Sequence, residues 1–173
     1  MLEKIYRDAD VDATILAGKT LAVIGYGIQG KAQAANAKDS GFTVIIGCRG
    51  NDDGSPSRGQ ATADGFEAMS VADATRRADV LLIELADPVQ PSVYRAEIGP
   101  NLRPGQTLCF CHGFSVLYGQ IVPPKDVNVV LYVPNAPGAF VRAKYQAGEG
   151  VYGCVGVDHD ATGDAREIAF AIS

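Results

Sequence analysis

The sequence predicts an α/β fold, a mostly parallel sheet with helices on both faces, and three observations carry that prediction. Short apolar runs without polar alternation recur along the chain, as strands buried on both faces require. Stretches of helix-forming sequence separate them. Glycine and proline punctuate the junctions. Strand and helix alternating in this way place the chain in the doubly wound, Rossmann-like class.

The elements follow in order. Residues 1–16 are polar with scattered apolar anchors and read as an irregular lead-in. Thr20–Ile24 is the first buried strand, broken by Gly25, and the Ala-rich stretch Lys31–Lys38 is the first helix. Ser40-Gly41 ends that helix, with Gly41 suited to the left-handed cap position. Thr43–Ile46 is the second strand, and Gly50–Gln60, rich in Gly, Asp, Ser, Pro and Asn, reads as an exposed loop. Ser70 caps a helix over Val71–Arg77, followed by the apolar strand Val80–Ile83. A helix is expected from Asp87 to about Glu97, then strands at Thr107–Cys111, Val127–Val133 and Val151–Val157, and a closing helix at Thr162–Ile172. No repeat or linker interrupts the pattern, so residues 1–173 form a single domain.

Composition narrows the function. Of 173 residues 47 % are hydrophobic and 20 % charged, an ordinary globular balance. The net charge of −5, with no long Lys/Arg run, argues against nucleic acid as a partner. No apolar run is long enough to span a bilayer and the N-terminus has no apolar signal core, so no membrane partner and a cytoplasmic location are expected. The four cysteines, Cys48, Cys109, Cys111 and Cys154, are expected to be buried and reduced.

Gly25-Tyr26-Gly27-Ile28-Gln29-Gly30 has the spacing G-x-G-x-x-G and sits between the first strand and the first helix. That position turns a weak motif into evidence of a dinucleotide site. Gly25 allows the tight turn, Gly27 clears a path for a diphosphate to approach the backbone, and Gly30 lets helix and strand pack closely. Amides at the helix start then face the phosphates, aided by the helix dipole. At the end of the second strand, Gly47-Cys48-Arg49 offers no acid for ribose hydroxyls and an Arg suited to a 2′-phosphate, which favours NADP over NAD. Ser55, Ser57 and Arg58 lie in the following loop and can join Arg49, while Asp52 and Asp53 oppose a phosphate if they face inward.

Several stretches are more specific. They are Asp87-Pro88-Val89-Gln90, Cys111-His112-Gly113-Phe114, Gly119-Gln120-Ile121-Val122-Pro123-Pro124-Lys125-Asp126-Val127, and Val133 to Arg142 with Pro134-Asn135-Ala136-Pro137-Gly138. With Lys19 to Gly30 they resemble the ketol-acid reductoisomerase family, over essentially the whole chain, in its N-terminal NADP-binding domain. The resemblance implies an NADPH- and Mg²⁺-dependent oxidoreductase of valine and isoleucine biosynthesis. It converts 2-hydroxy-2-methyl-3-oxo acids to 2,3-dihydroxy acids by alkyl migration and hydride reduction. It also implies that Gly25, Tyr26, Gly27, Ile28, Gln29, Gly30, Arg49, Ser55, Ser57, Asp87, Pro88, Val89, Gln90 and Gly138 contact the cofactor and that His112 is catalytic. His112 follows a strand at the end where open α/β sheets keep their ligands. His159, between Asp158 and Asp160, is expected to be a surface residue.

The family's C-terminal helical domain, which supplies the Mg²⁺ ligands, has no counterpart in these 173 residues, so no metal ligand is assigned. Asn135 stands where the family usually has Lys, Ile28 where a small polar residue is common, and Lys31 where His is usual. Lys31 is expected to add positive charge near the diphosphate. Two alternatives stay open: a stand-alone, metal-independent NADPH reductase of another oxo acid or an imine, using residues such as His112 and Tyr118, or a non-catalytic NADP(H)-binding or assembly module. The partners expected are a small 2-oxo or 2-hydroxy acid, and a second copy or a helical domain covering an exposed apolar face.

Overall fold

A computed structural model of the chain describes residues 5–49 and 56–173. Among the described residues seven strands form one sheet: β1 (Thr20–Ile24), β2 (Thr43–Gly47), β3 (Glu67–Met69), β4 (Val80–Ile83), β5 (Thr107–Phe110), β6 (Asn128–Pro134) and β7 (Gly153–His159). Their spatial order is β3-β2-β1-β4-β5-β6-β7. Neighbours from β3 to β6 pair in parallel, and β7 runs antiparallel along β6 with a bulge at Val129/Val130. The chain therefore starts in the middle of the sheet, builds outward to β3, and crosses back to β4. The crevice between the C-terminal ends of β1 and β4 is the switch point where such sheets bind ligands.

Among the described residues the α-helices that accompany the sheet are α1 (Ile28–Asp39), α2 (Ser57–Ala63), α3 (Val71–Arg77), α4 (Gln90–Val93), α5 (Phe114–Leu117), α6 (Gly138–Gln146) and α7 (Ala165–Ile172). Because side chains alternate along a strand, each central strand feeds two cores. Leu21, Val23, Val80, Leu82 and Cys109 pack with Ala34, Ala165 and Ile168 on the α1 and α7 face. Ala22, Ile24, Leu81, Ile83, Leu108 and Phe110 pack with Val71, Ala74 and Ile98 on the other. Every residue of β4 and β5 is buried, which accounts for their unbroken apolar runs. Truncating a side chain such as Leu82 to Ala costs about 2–5 kcal/mol at such positions.

The doubly wound prediction holds, and the departures have local causes. Glu67-Ala68-Met69 forms the edge strand β3 with no apolar run to announce it. Ser57–Gln60, read as the end of the exposed loop, instead opens the helix α2 (Ser57–Ala63), in which Ala61 is buried. The helix expected from Asp87 is a single α-turn, Gln90–Val93, continued as a π-turn over Tyr94–Ile98 and a 3₁₀ turn over Gly99–Asn101. Gly99 fits there because any Cβ would meet the Tyr94 ring at 3.2 Å. The final strand is shifted to Gly153–His159, and α6 was not foreseen beyond Gly138. Gly41 takes the expected left-handed conformation (φ 89°) at the end of α1.

None of the four cysteines forms a disulfide, but Cys111 is only partly buried and Cys154 is exposed on the edge strand β7, which corrects the expectation of uniform burial. His159 is half-buried, its Nε2 2.7 Å from the Lys125 carbonyl, so it braces a loop rather than facing water freely. No helix among the described residues is long and apolar enough to cross a membrane.

Candidate dinucleotide site

The glycine turn is built by main-chain contacts. Gly25 turns the chain at φ 100°, and its amide donates to the Gly47 carbonyl at 2.8 Å. A Cβ at Gly30 would lie 2.2 Å from the Gly25 carbonyl oxygen, so only glycine lets α1 start this close to β1. Gly27 differs: a Cβ there would meet nothing within 4 Å. The backbone at Gly27 thus borders open space, and no side chain caps the start of α1. The first amides of a helix have no intrahelical partner, so Ile28, Gln29 and Gly30 present donors and the positive end of a dipole to that space. These features fit a diphosphate. Ile28, 75 % exposed, leaves those amides uncovered.

A second loop braces the turn from the far side. Gln29 Nε2 donates to the Ala136 carbonyl at 2.9 Å. A Cβ on Gly138 would lie 2.4 Å from the Ile28 carbonyl oxygen. Gly138 is therefore a packing glycine that seats the start of α6 against the turn. Gln29 Oε1 is buried without a protein partner.

At the end of β2, Arg49 is exposed and Arg58 NH2 reaches the Cys48 carbonyl at 3.3 Å, so both guanidinium groups belong to this strand end. Ser57 is half-buried at the first turn of α2. Ser55, Asp52 and Asp53 lie outside the described residues. Lys31 does not offer a free charge: its Nζ pairs with Asp64 at 2.9 Å, which corrects the expectation that it supplements the diphosphate site. Tyr26 OH and Gln60 Nε2 also donate to Asp64, which locks the turn to the end of α2. Those bonds hold the Asp64 carboxyl below its usual range, the Lys31 bond first, while burial and the adjacent carboxylate push the Tyr26 hydroxyl up.

Across the crevice, β4 and β5 end in side-chain contacts. His112 Nδ1 lies 2.6 Å from Asp87 Oδ2, with the imidazole 63 % exposed. Gln90, only 2 % exposed, points inward: its Nε2 donates to the Leu85 carbonyl at 2.8 Å and to Asp87 Oδ1 at 3.2 Å. Pro88 and Val89 are exposed at the crest of the same loop. Beyond His112 an apolar rim of Phe114, Leu117, Tyr118 and Val122 faces outward.

Under the crevice sits a cluster that sequence reading missed. Cys111 Sγ donates to Glu84 Oε1 at 2.5 Å and accepts from Gln33 Nε2 at 3.4 Å. Burial raises the Glu84 carboxyl from 4.5 to about 6, offset in part by the Cys111 bond. Burial first, then the Glu84 charge, pushes the Cys111 thiol up, so it keeps its proton and acts as donor. Glu84 Cβ would touch a Cβ on Gly30 at 3.3 Å, which places this pair directly beneath the glycine turn. Its one visible sign was a charged residue closing the apolar run of β4. A cavity of about 140 Å³, lined by Leu16, Gln33, Tyr132, Tyr145 and Ile172 among others, lies toward the other end of α1.

Among the described residues, no group of three or more His, Cys, Asp or Glu side chains is arranged to hold a metal ion.

Residues 15–173 match the family described as acetohydroxy acid isomeroreductase, NADPH-binding domain. The chain is 47 % identical over 172 residues to a ketol-acid reductoisomerase (NADP(+)) of Caldivirga maquilingensis, covering 99 % of this chain and 51 % of that protein. It is similar to the solved structure of an NADH-preferring ketol-acid reductoisomerase from an uncultured archean, with a TM-score of 0.95, 45 % identity, and coverage of 98 % of this chain and 52 % of that one. A 3-hydroxyisobutyrate dehydrogenase of Mycobacterium tuberculosis shares the fold alone, at a TM-score of 0.64 and 16 % identity over 90 % of this chain and 52 % of that one. The chain spans about half the length of these relatives.

Proposed function

Because the chain belongs to the acetohydroxy acid isomeroreductase family, as its NADPH-binding domain, we propose that it binds NADPH for a ketol-acid reductoisomerase reaction. The proposed substrates are 2-hydroxy-2-methyl-3-oxo acids. The observation that carries the reading is the open space beside Gly27, bordered by uncapped helix amides. Those amides hold the diphosphate by hydrogen bonds and dipole, with no side-chain charge needed. NADPH supplies a hydride when bound.

The chain's own groups orient the rest. Gly25, Tyr26, Gly27, Ile28, Gln29 and Gly30 shape the diphosphate seat. Arg49, with Ser55 and Ser57, takes the 2′-phosphate, since a guanidinium matches phosphate oxygens in a two-point contact. Asp87, Pro88 and Val89 line the crevice edge, and Gln90 fixes Asp87 from within. Gly138 holds the second loop against the seat. His112 presents Nε2 to the crevice, where it can take a proton from, or return one to, a water or substrate hydroxyl. The two similar reductoisomerases differ in the nicotinamide cofactor named for them, so family membership alone does not set the preference; Arg49 and a strand end, Gly47-Cys48-Arg49, without an acid favour NADPH.

Mg²⁺ is expected for the family's reaction, but the described residues provide no ligand set for it. No step is assigned to a metal on this chain. Its ligands come from a helical domain, and a helical domain or a second copy covers the apolar rim at Phe114, Leu117 and Tyr118.

Titration calorimetry with NADPH and NADH in parallel tests the reading. Binding of NADPH at least about tenfold tighter than NADH is expected, the difference that one charge-assisted phosphate contact supplies. Folded protein that gives no heat with either nucleotide would refute it. Turnover of acetolactate with Mg²⁺ and NADPH is expected only where a helical domain carrying the metal ligands is present.

A further inference from the structure

We propose that Asp87 is a positioning residue for His112: its carboxylate fixes the imidazole as the Nδ1–H tautomer, with Nε2 turned to the crevice as a proton acceptor. This rests on the reading of His112 as the active-site histidine. The geometry behind it is independent of that reading.

An ionised carboxylate only accepts hydrogen bonds. With Nδ1 2.6 Å from Asp87 Oδ2, the ring nitrogen there must carry the proton. In the neutral ring the remaining nitrogen, Nε2, is then the acceptor. An imidazole 63 % exposed has few packing contacts to choose its rotamer, so the Asp87 bond does most of the orienting; the Phe114 ring lies parallel but with centroids 6.4 Å apart.

Asp87 is itself held. Gln90 Nε2 engages Oδ1 and the Leu85 carbonyl together, from a side chain buried to 2 %. The support runs from the core outward: Leu85 carbonyl, Gln90 amide, Asp87 carboxylate, His112 ring. Each link is a directional bond, and the last joins the segment after β4 to the end of β5. Both carboxylate oxygens thus engage protein groups, and their remaining lone pairs can still accept from a bound cofactor. A wrong tautomer in such an arrangement is expensive even when the shape is kept: in the serine-protease triad an Asp to Asn exchange costs about 10⁴ in kcat.

Nitrogen-15 NMR of the His112 ring at alkaline pH reads the tautomer directly. In the wild-type chain the Nδ1–H form is expected to dominate. In Asp87→Ala the Nε2–H form should take over, and Asp87→Glu should restore the wild-type pattern at least in part. An unchanged tautomer in Asp87→Ala overturns the proposal. If Asp87→Ala does not fold, Asp87→Asn answers the same question, with a mixed or inverted tautomer expected and an unchanged one decisive against. Should wild-type protein bind neither nucleotide, the functional reading fails while the tautomer measurement still decides the role of Asp87.

Discussion

The two banks of the crevice are made in opposite ways. On the β1 side, the seat is main chain: Gly25, Gly30 and Gly138 remove side chains so that carbonyls and amides approach within limits no Cβ permits. On the β4–β5 side, shape comes from side chains bonded in sequence, Gln90 to Asp87 to His112, with Cys111 on Glu84 below. The difference predicts how each bank fails. A main-chain seat tolerates almost any side chain that points away, as Ile28 does, and fails abruptly when a methyl group is added inside. A side-chain bank degrades one bond at a time.

The sharpest way to break this contrast is a pair of glycine substitutions. Gly30→Ala, forced against the Gly25 carbonyl, should cost about 3 kcal/mol of unfolding free energy in urea. Gly27→Ala should leave stability within about 0.5 kcal/mol, yet weaken NADPH by at least about tenfold as the methyl fills the diphosphate seat. If both variants lose stability equally, the open space at Gly27 is not a ligand seat.

Glu84 tests the side-chain bank through pH. Its carboxyl moves from 4.5 to about 6 on folding because burial disfavours the charge. A raised acid stabilises the fold fully below its unfolded value and loses that contribution as pH climbs through about 6. The loss is about 2 kcal/mol by pH 7 to 8. Glu84→Gln should remove this part of the slope, seen as a flatter curve of stability against pH between 4 and 7 than wild type shows. Parallel curves would mean Glu84 is solvated and the Cys111 pair contributes nothing.

The smallest effect belongs to Arg49, the exposed end of the main-chain bank. Arg49→Ala should weaken NADPH about tenfold, near the value of one charge-assisted contact, and NADH less than about threefold. Equal losses for both nucleotides would place Arg49 on the adenine or the diphosphate instead.

How far the sequence could be read follows the same division. The glycine turn was legible because its code lies in six contiguous residues placed between a strand and a helix. Strands β1, β2, β4, β5 and β6 were legible because burial on both faces leaves an unbroken apolar run. Edge strand β3 was not, since its half-buried and exposed residues carry no such run. Helix α2 was hidden by turn-forming neighbours and a single buried alanine. The Asp87–His112 contact was invisible for a different reason: it depends on the pairing that sets Ile83 beside Phe110 across β4 and β5. Family resemblance pointed to both residues without showing that they touch. Glu84 and Cys111 meet through the same register.

The bond from Gln29 to the Ala136 carbonyl closes a loop of 107 residues. Contacts of such long range form only after the chain has met the entropy of closing that loop, and they slow folding. A refolding chain therefore assembles its first strands and helix well before it can grip a diphosphate. In stopped-flow refolding, nucleotide-fluorescence signals should trail the far-ultraviolet signal of secondary structure.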